Sequence, residues 1–131
     1  MFKILDAHAL LAFFEKERGY EIVKEAFLSS VNSDIPLLMT SVNYGEVLYI
    51  IERELGPSKA EDIEKAISTM PIEIVEVDRA LARMAAHIKA CYKLSYADCF
   101  AAALSSLKKG ELITGDREFD QLKNFIKIRW I

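Results

Sequence analysis

The chain is 131 residues long, 52% hydrophobic and 28% charged, with five glycines and three prolines; this balance excludes disorder and fibrous repeats and predicts a single domain over residues 1–131. A net charge of −3 excludes a uniformly cationic nucleic-acid coat, and two cysteines in a chain with this much core exclude a disulfide framework. No run of about 18 apolar residues is present to span a bilayer, and Asp6 breaks the apolar start MFKILDAHALLAFF, so no membrane association and a soluble, cytoplasmic protein are expected.

In chain order, FKIL (residues 2–5) reads as a short buried strand, and AHALLAFF as a helix of good formers beginning at Asp6. A second helix runs from Tyr20 to about Ser30, with Ile22, Val23, Ala26 and Phe27 on one side. Residues 35–40 form a strand with Pro36 confined to its start. From Ser41 to Leu55, Tyr44, Val47, Leu48, Ile51 and Leu55 repeat at helical spacing until Gly56-Pro57 stops them. Val42, Tyr49 and Ile50 make this helix apolar nearly all round, so it is expected to be covered by the following helix or by another chain.

That following helix spans Ser58 to about Thr69, and Pro71 to Val77 alternates as a strand. A helix from about Arg79 to Tyr92 precedes a second one opened by Ser95, SYADCFAAALSSLKK, which Gly110 ends. Leu112 to Thr114 reads as a strand, REFDQLK as a short helix and Ile126 to Trp130 as a final strand. Strands alternating with helices predict a three-layer α/β/α domain around a mainly parallel sheet.

Charge is uneven: residues 101–131 carry six basic and four acidic groups, against 11 and 16 in residues 1–100. Lys108, Lys109, Arg117, Lys123, Lys127 and Arg129 thus form a candidate phosphate-facing fringe, with Arg117 next to Asp116 the nearest to the acids discussed below. His87, Cys91 and Cys99 supply at most three zinc ligands and lack a fourth, so free thiols are expected.

Four acids stand near helix starts. Asp6 follows the first strand, Asp116 follows Leu112-Ile113-Thr114, Glu46 lies shortly after Thr40-Ser41, and Asp98 lies just after Ser95. Singly, each reads as capping chemistry: Asp6 and Asp116 as N-caps, Ser95-x-x-Asp98 and Asn43-x-x-Glu46 as capping boxes. Together they point elsewhere, because the crevice of an open parallel sheet lies beyond the carboxyl ends of its strands. Carboxylates crowded there repel, and a proton or a hard divalent cation such as Mg²⁺ or Mn²⁺ relieves the repulsion.

With ILDAHALLAFF, SVNYGEVLYII, LSYADCFAAALS and LITGDREFDQL in this order, the chain resembles PIN-domain ribonucleases over essentially its full length, and in particular the toxin half of VapBC toxin–antitoxin pairs. The resemblance implies a five-stranded sheet of order 3-2-1-4-5 and metal-dependent hydrolysis of RNA phosphodiester bonds. It implies that Asp6, Glu46, Asp98 and Asp116 form the acidic quartet holding Mg²⁺ or Mn²⁺, with Asp6 and Asp116 as principal ligands. Thr114 matches a supporting hydroxyl, and Asp120 an additional acid of many members. His8 departs from the pattern, replacing a serine or asparagine with an imidazole able to donate to a phosphate. A homodimer and a cognate antitoxin are the implied protein partners.

Other acidic α/β folds fit less well. A receiver domain pairs adjacent acids after its first strand, whereas Ala7 follows Asp6; a haloacid-dehalogenase-like phosphatase needs Asp-x-Asp, and position 8 is His8. The alternative from another class is a non-catalytic PIN-like module that binds RNA or protein and would not need the acids.

Overall fold

The computed structural model describes all residues, Met1–Ile131. Five strands form one sheet in the order β3-β2-β1-β4-β5, and every neighbouring pair is parallel. The strands are β1 (Lys3–Leu5), β2 (Leu37–Thr40), β3 (Ile72–Val75), β4 (Glu111–Thr114) and β5 (Lys127–Trp130). The helices are α1 (Ala7–Phe14), α2 (Tyr20–Ser33), α3 (Ser41–Leu55), α4 (Pro57–Ser68), α5 (Arg79–Cys91) and α6 (Tyr96–Lys108), followed by a 3₁₀ turn, Arg117–Leu122.

Period-two alternation divides the core into two layers. Ile4, Leu38 and Leu112 pack on one face with α5 and α6, while Leu5, Leu37, Met39 and Ile113 pack on the other with α1 to α4. The central strands β1 and β4 are therefore covered on both faces, as a parallel sheet requires. Each fully buried Leu or Ile contributes about 1.5–3 kcal/mol of apolar transfer. In α6 every residue from Cys99 to Ser105 is buried, and the small side chains Ala101, Ala102 and Ala103 let this all-round buried helix lie close to the sheet.

The elements match the sequence reading with local differences. Strand β3 stops at Val75 rather than Val77, because its partner β2 ends at Thr40, opposite Val75, where the chain turns into α3. Helix α4 starts at Pro57, whose missing N–H is harmless at the first helical position. The residue that ends α6 in the left-handed conformation is Lys109, at φ 51°, not Gly110. Gly110 serves a different need: a Cβ there would sit 2.6 Å from the Phe2 carbonyl oxygen, so only glycine lets β4 enter the sheet beside β1. Residues 117–122 wind as 3₁₀ rather than α-helix.

The apolar surface of α3 is divided. Val47 and Ile51 are buried, Tyr44 and Leu48 pack on the same layer, and Ile50 lines a cavity described below. Tyr49 and Leu55 remain exposed, with the Arg53 guanidinium 5.3 Å from the Tyr49 ring centre.

Candidate metal centre

Asp6 and Asp116 leave adjacent central strands at the same sheet edge. Asp6 is the N-cap of α1: its Oδ1 accepts from the Ala9 N–H at 2.8 Å. Its Oδ2 accepts from the Thr114 hydroxyl at 2.5 Å, and the Asp116 N–H donates to that same Thr114 oxygen at 3.0 Å. Asp6 and Thr114 are buried. Asp116 caps the 3₁₀ turn, its Oδ1 accepting from the Glu118 N–H at 3.0 Å.

The other acids arrive on helices. Ser95 caps α6 by accepting from the Asp98 N–H at 3.2 Å. The cap of α3 is Thr40, which accepts from the Asn43 N–H at 3.1 Å, so Asn43 does not head a capping box. Asn43 instead donates from its side-chain amide to Glu46 Oε1 at 3.4 Å and to the Ala97 carbonyl at 3.0 Å.

Glu46, Asp98, Asp116 and Glu118 line one cavity of about 380 Å³, with His8, Ile50 and Ser95 on its walls. Carboxylate oxygens of Asp98, Asp116 and Glu118 lie within 4.8 Å of one another. Asp6 sits behind this group, with each oxygen already accepting a hydrogen bond. A separate opening of about 440 Å³, bounded by Lys3, Glu111 and Arg129, contains none of these acids.

The electrostatics reflect the crowding. Burial, reinforced by the Asp98 and Glu46 charges and opposed by the Thr114 and Ala9 hydrogen bonds, pushes Asp6 up to about 7. Desolvation, with the Asp116 and Glu46 charges, also pushes Asp98 up to about 7 against the Ser95 hydrogen bond. Glu46 is raised by desolvation and the Asp116 charge, against the Asn43 hydrogen bond. The two ion pairs of the chain, Lys123–Asp120 at 3.9 Å and Lys127–Glu111 at 3.6 Å, leave these acids without a cationic partner. A hard-oxygen donor set with uncompensated charge fits Mg²⁺ or Mn²⁺.

Of the supporting residues, Thr114 joins the acids directly. His8 is exposed, and its ring stands over Gly115 at the cavity wall. Arg117 is exposed and stacks on Trp130, with its guanidinium carbon 4.4 Å from the ring centre. Asp120 is not brought to the cavity; it faces solvent and pairs with Lys123. Glu118, which the sequence reading did not single out, takes a place there instead. The available signal was Asp116-x-Glu118, where an aspartate caps the second residue after itself and folds it back. Cys91 is exposed and Cys99 buried, both free.

Among curated proteins, the chain is 27% identical over 124 residues to VapC ribonuclease Mb2780c of Mycobacterium bovis and to Ribonuclease VapC42 of Mycobacterium tuberculosis H37Rv, covering 88% of this chain and 92% of each relative. Among solved structures, it resembles DNA-bound VapBC from Salmonella typhimurium, with a TM-score of 0.75 at 18% identity over 98% of this chain and 97% of that one. VapBC2 from Rickettsia felis, bound to promoter DNA, gives 0.79 at 10% identity over 98% of both chains. VapC20 of Mycobacterium tuberculosis, described as a Sarcin-Ricin loop cleaving toxin, gives 0.74 at 14% identity over 91% and 93%. These likenesses establish the shared fold, and the family model for the PIN domain matches residues 3–124. With that match spanning nearly the whole chain, the protein belongs to the PIN domain family.

Proposed function

We propose that the chain, as one domain over residues 1–131, is a Mg²⁺- or Mn²⁺-dependent ribonuclease and the toxin of a toxin–antitoxin pair. The observation that carries the reading is the grouping of Asp98, Asp116 and Glu118 oxygens within 4.8 Å, with no lysine or arginine paired to them. The relatives named as VapC ribonucleases support the substrate class. VapBC complexes among the similar structures support a cognate antitoxin as partner. Tyr49 and Leu55, exposed on α3, support a homodimer or antitoxin contact through that helix. No helix is long and apolar enough to cross a membrane, and an RNA substrate supports the cytoplasm as the place of action.

In this reading Asp6, Glu46, Asp98 and Asp116 would hold the cation, directly or through water, with Glu118 beside Asp98 and Asp116. A bound divalent ion supplies an acidified water and charge neutralisation at phosphorus. The protein's own part is positional. Thr114 keeps the Asp6 carboxylate and the Asp116 backbone in one fixed relation. Ser95 and Thr40 fix the starts of the helices carrying Asp98 and Glu46. His8 and Arg117 offer donors to RNA phosphates at the rim. No side chain is required as a nucleophile.

The test is incubation of the purified chain, freed of any partner, with end-labelled RNA in Mg²⁺ or Mn²⁺, beside chelator and Asp98→Asn controls. Cleavage abolished by both controls supports the reading; Asp98→Asn is expected to lose about 100-fold or more, the size of a lost transition-state charge contact. Cleavage that survives Asp98→Asn counts against this site. No cleavage and no metal uptake would favour a non-catalytic RNA- or protein-binding module, in which Asp6 and Asp116 serve as helix caps.

A further inference from the structure

Asn43 is fully buried, yet helix α3 is already capped by Thr40 and gains nothing in propensity from an asparagine in its first turn. A buried primary amide must satisfy two donors and a carbonyl. Here all are engaged: Oδ1 accepts from the Thr40 hydroxyl at 2.6 Å, and Nδ2 donates to the Ala97 carbonyl at 3.0 Å and to Glu46 Oε1 at 3.4 Å. The orientation of the amide is forced. Both atoms on its nitrogen side, a carbonyl and a carboxylate oxygen, are acceptors, while Thr40 presents its hydroxyl proton to the other side.

Ala97 and Glu46 belong to different helices, and Ala97 immediately precedes Asp98. One side chain therefore spans 54 residues of sequence to join the helix carrying Glu46 to the helix carrying Asp98. We propose that Asn43 is a positioning residue of the metal centre, holding the Glu46 carboxylate and the first turn of α6 in one fixed relation so that Glu46 and Asp98 converge on the same cation. The proposal rests on the metal-nuclease reading above. It also predicts that an aspartate, equal in shape, fails to substitute, because its second oxygen would face two acceptors.

The test is Mn²⁺ binding by the full chain, followed by calorimetry and electron paramagnetic resonance, for the wild type, Asn43→Asp and Asn43→Ala, each also with Glu46→Gln. Loss of a residue that orients metal ligands costs about 10- to 100-fold in metal affinity. That loss is expected in both single variants, and it is expected to shrink in the Glu46→Gln background, as for residues acting through one another. Single variants that bind Mn²⁺ as the wild type does overturn the proposal, as does an equal loss with or without Glu46, which would assign Asn43 to helix packing alone. A wild-type chain that takes up no Mn²⁺ overturns the metal reading itself, a distinct result.

A second measurement needs no variant. The Asn43 side-chain NH₂ resonances of the wild-type chain are expected to exchange slowly with solvent and to move on addition of Mg²⁺. Exchange at the rate of a surface amide, or indifference to saturating Mg²⁺, overturns the proposal even if the variants fail to fold.

Discussion

The Thr114 hydroxyl donates to Asp6 across 108 positions of sequence, and the same oxygen accepts the Asp116 N–H. One buried hydroxyl thus ties together the carboxyl ends of the two central strands. Thr114→Val keeps the shape and removes the donor, leaving a buried carboxylate with one partner fewer. A loss of about 1–3 kcal/mol is expected in denaturant unfolding, with Thr114→Ser close to wild type. Because the Thr114 bond lowers the Asp6 pKa, its removal raises that pKa further, so the loss is expected to be larger at pH 8 than at pH 5.

A pH dependence follows from Asp6 and Asp98, both pushed from an ordinary 3.8 up to about 7. Between those values the folded chain holds protons that the unfolded chain has released. The metal-free protein is therefore expected to lose stability as pH rises from about 4 to about 7 and to level off above. Cation binding needs the ionised carboxylates, so the rise in Tm on adding Mn²⁺ is expected to be small at pH 5 and large at pH 8. Thermal melts at both values, with and without Mn²⁺, read this directly; a Tm rise independent of pH contradicts it.

Glu118 and Asp120 are neighbouring acids in opposite situations, one at the cavity and the other paired with Lys123 in solvent. Glu118→Gln is expected to weaken Mn²⁺ binding by about tenfold, corresponding to roughly 1.4 kcal/mol of a carboxylate–cation contact. Asp120→Asn is expected to change it little, since exposed ion pairs contribute about 0–1 kcal/mol. Isothermal titration of the two variants ranks them, and the reverse order would place the site on the other side of the 3₁₀ turn.

His8 and Gly115 are coupled through space, since a Cβ on Gly115 would fall on the His8 ring, 2.9 Å from Nδ1. His8 is exposed and free to swing away, so Gly115→Ala is expected to shift stability by about 0.5 kcal/mol or less. The imidazole, however, leaves the cavity wall. If it donates to RNA phosphate there, Gly115→Ala lowers cleavage in the His8 chain and not in a His8→Ala background, a comparison made by single-turnover assay.

Much of this arrangement was legible in the sequence, for reasons that the exceptions make clear. Asp6, Asp98 and Asp116 were readable because each follows a strong local signal: a strand end, or a serine three residues earlier. Those signals are also genuine caps, and the capping contacts themselves hold Asp6, Asp98 and Asp116 where they stand, so capping does not compete with the proposed site. Glu118 escaped because the resemblance points to Asp120 as the additional acid of this segment; the Asp116 cap and the 3₁₀ winding bring Glu118 round instead. Asn43 was read as a cap because its true partner, the Ala97 carbonyl, is a backbone atom of a distant helix, to which no local pattern refers. The end of β3 at Val75 depended on where β2 runs out, a property of the sheet rather than of the strand.

The pairing of β1 with β4 sets an order of events for a chain made from its amino end. Asp6 is synthesised well before the strand that supplies Thr114 and Asp116, which pairs with β1 at Lys3–Glu111, more than a hundred residues later. A nascent chain still attached to its message therefore carries an orphaned Asp6 and no assembled centre. The acids cannot meet until β4 has been made, so RNA cleavage by the proposed centre would have to wait for that strand.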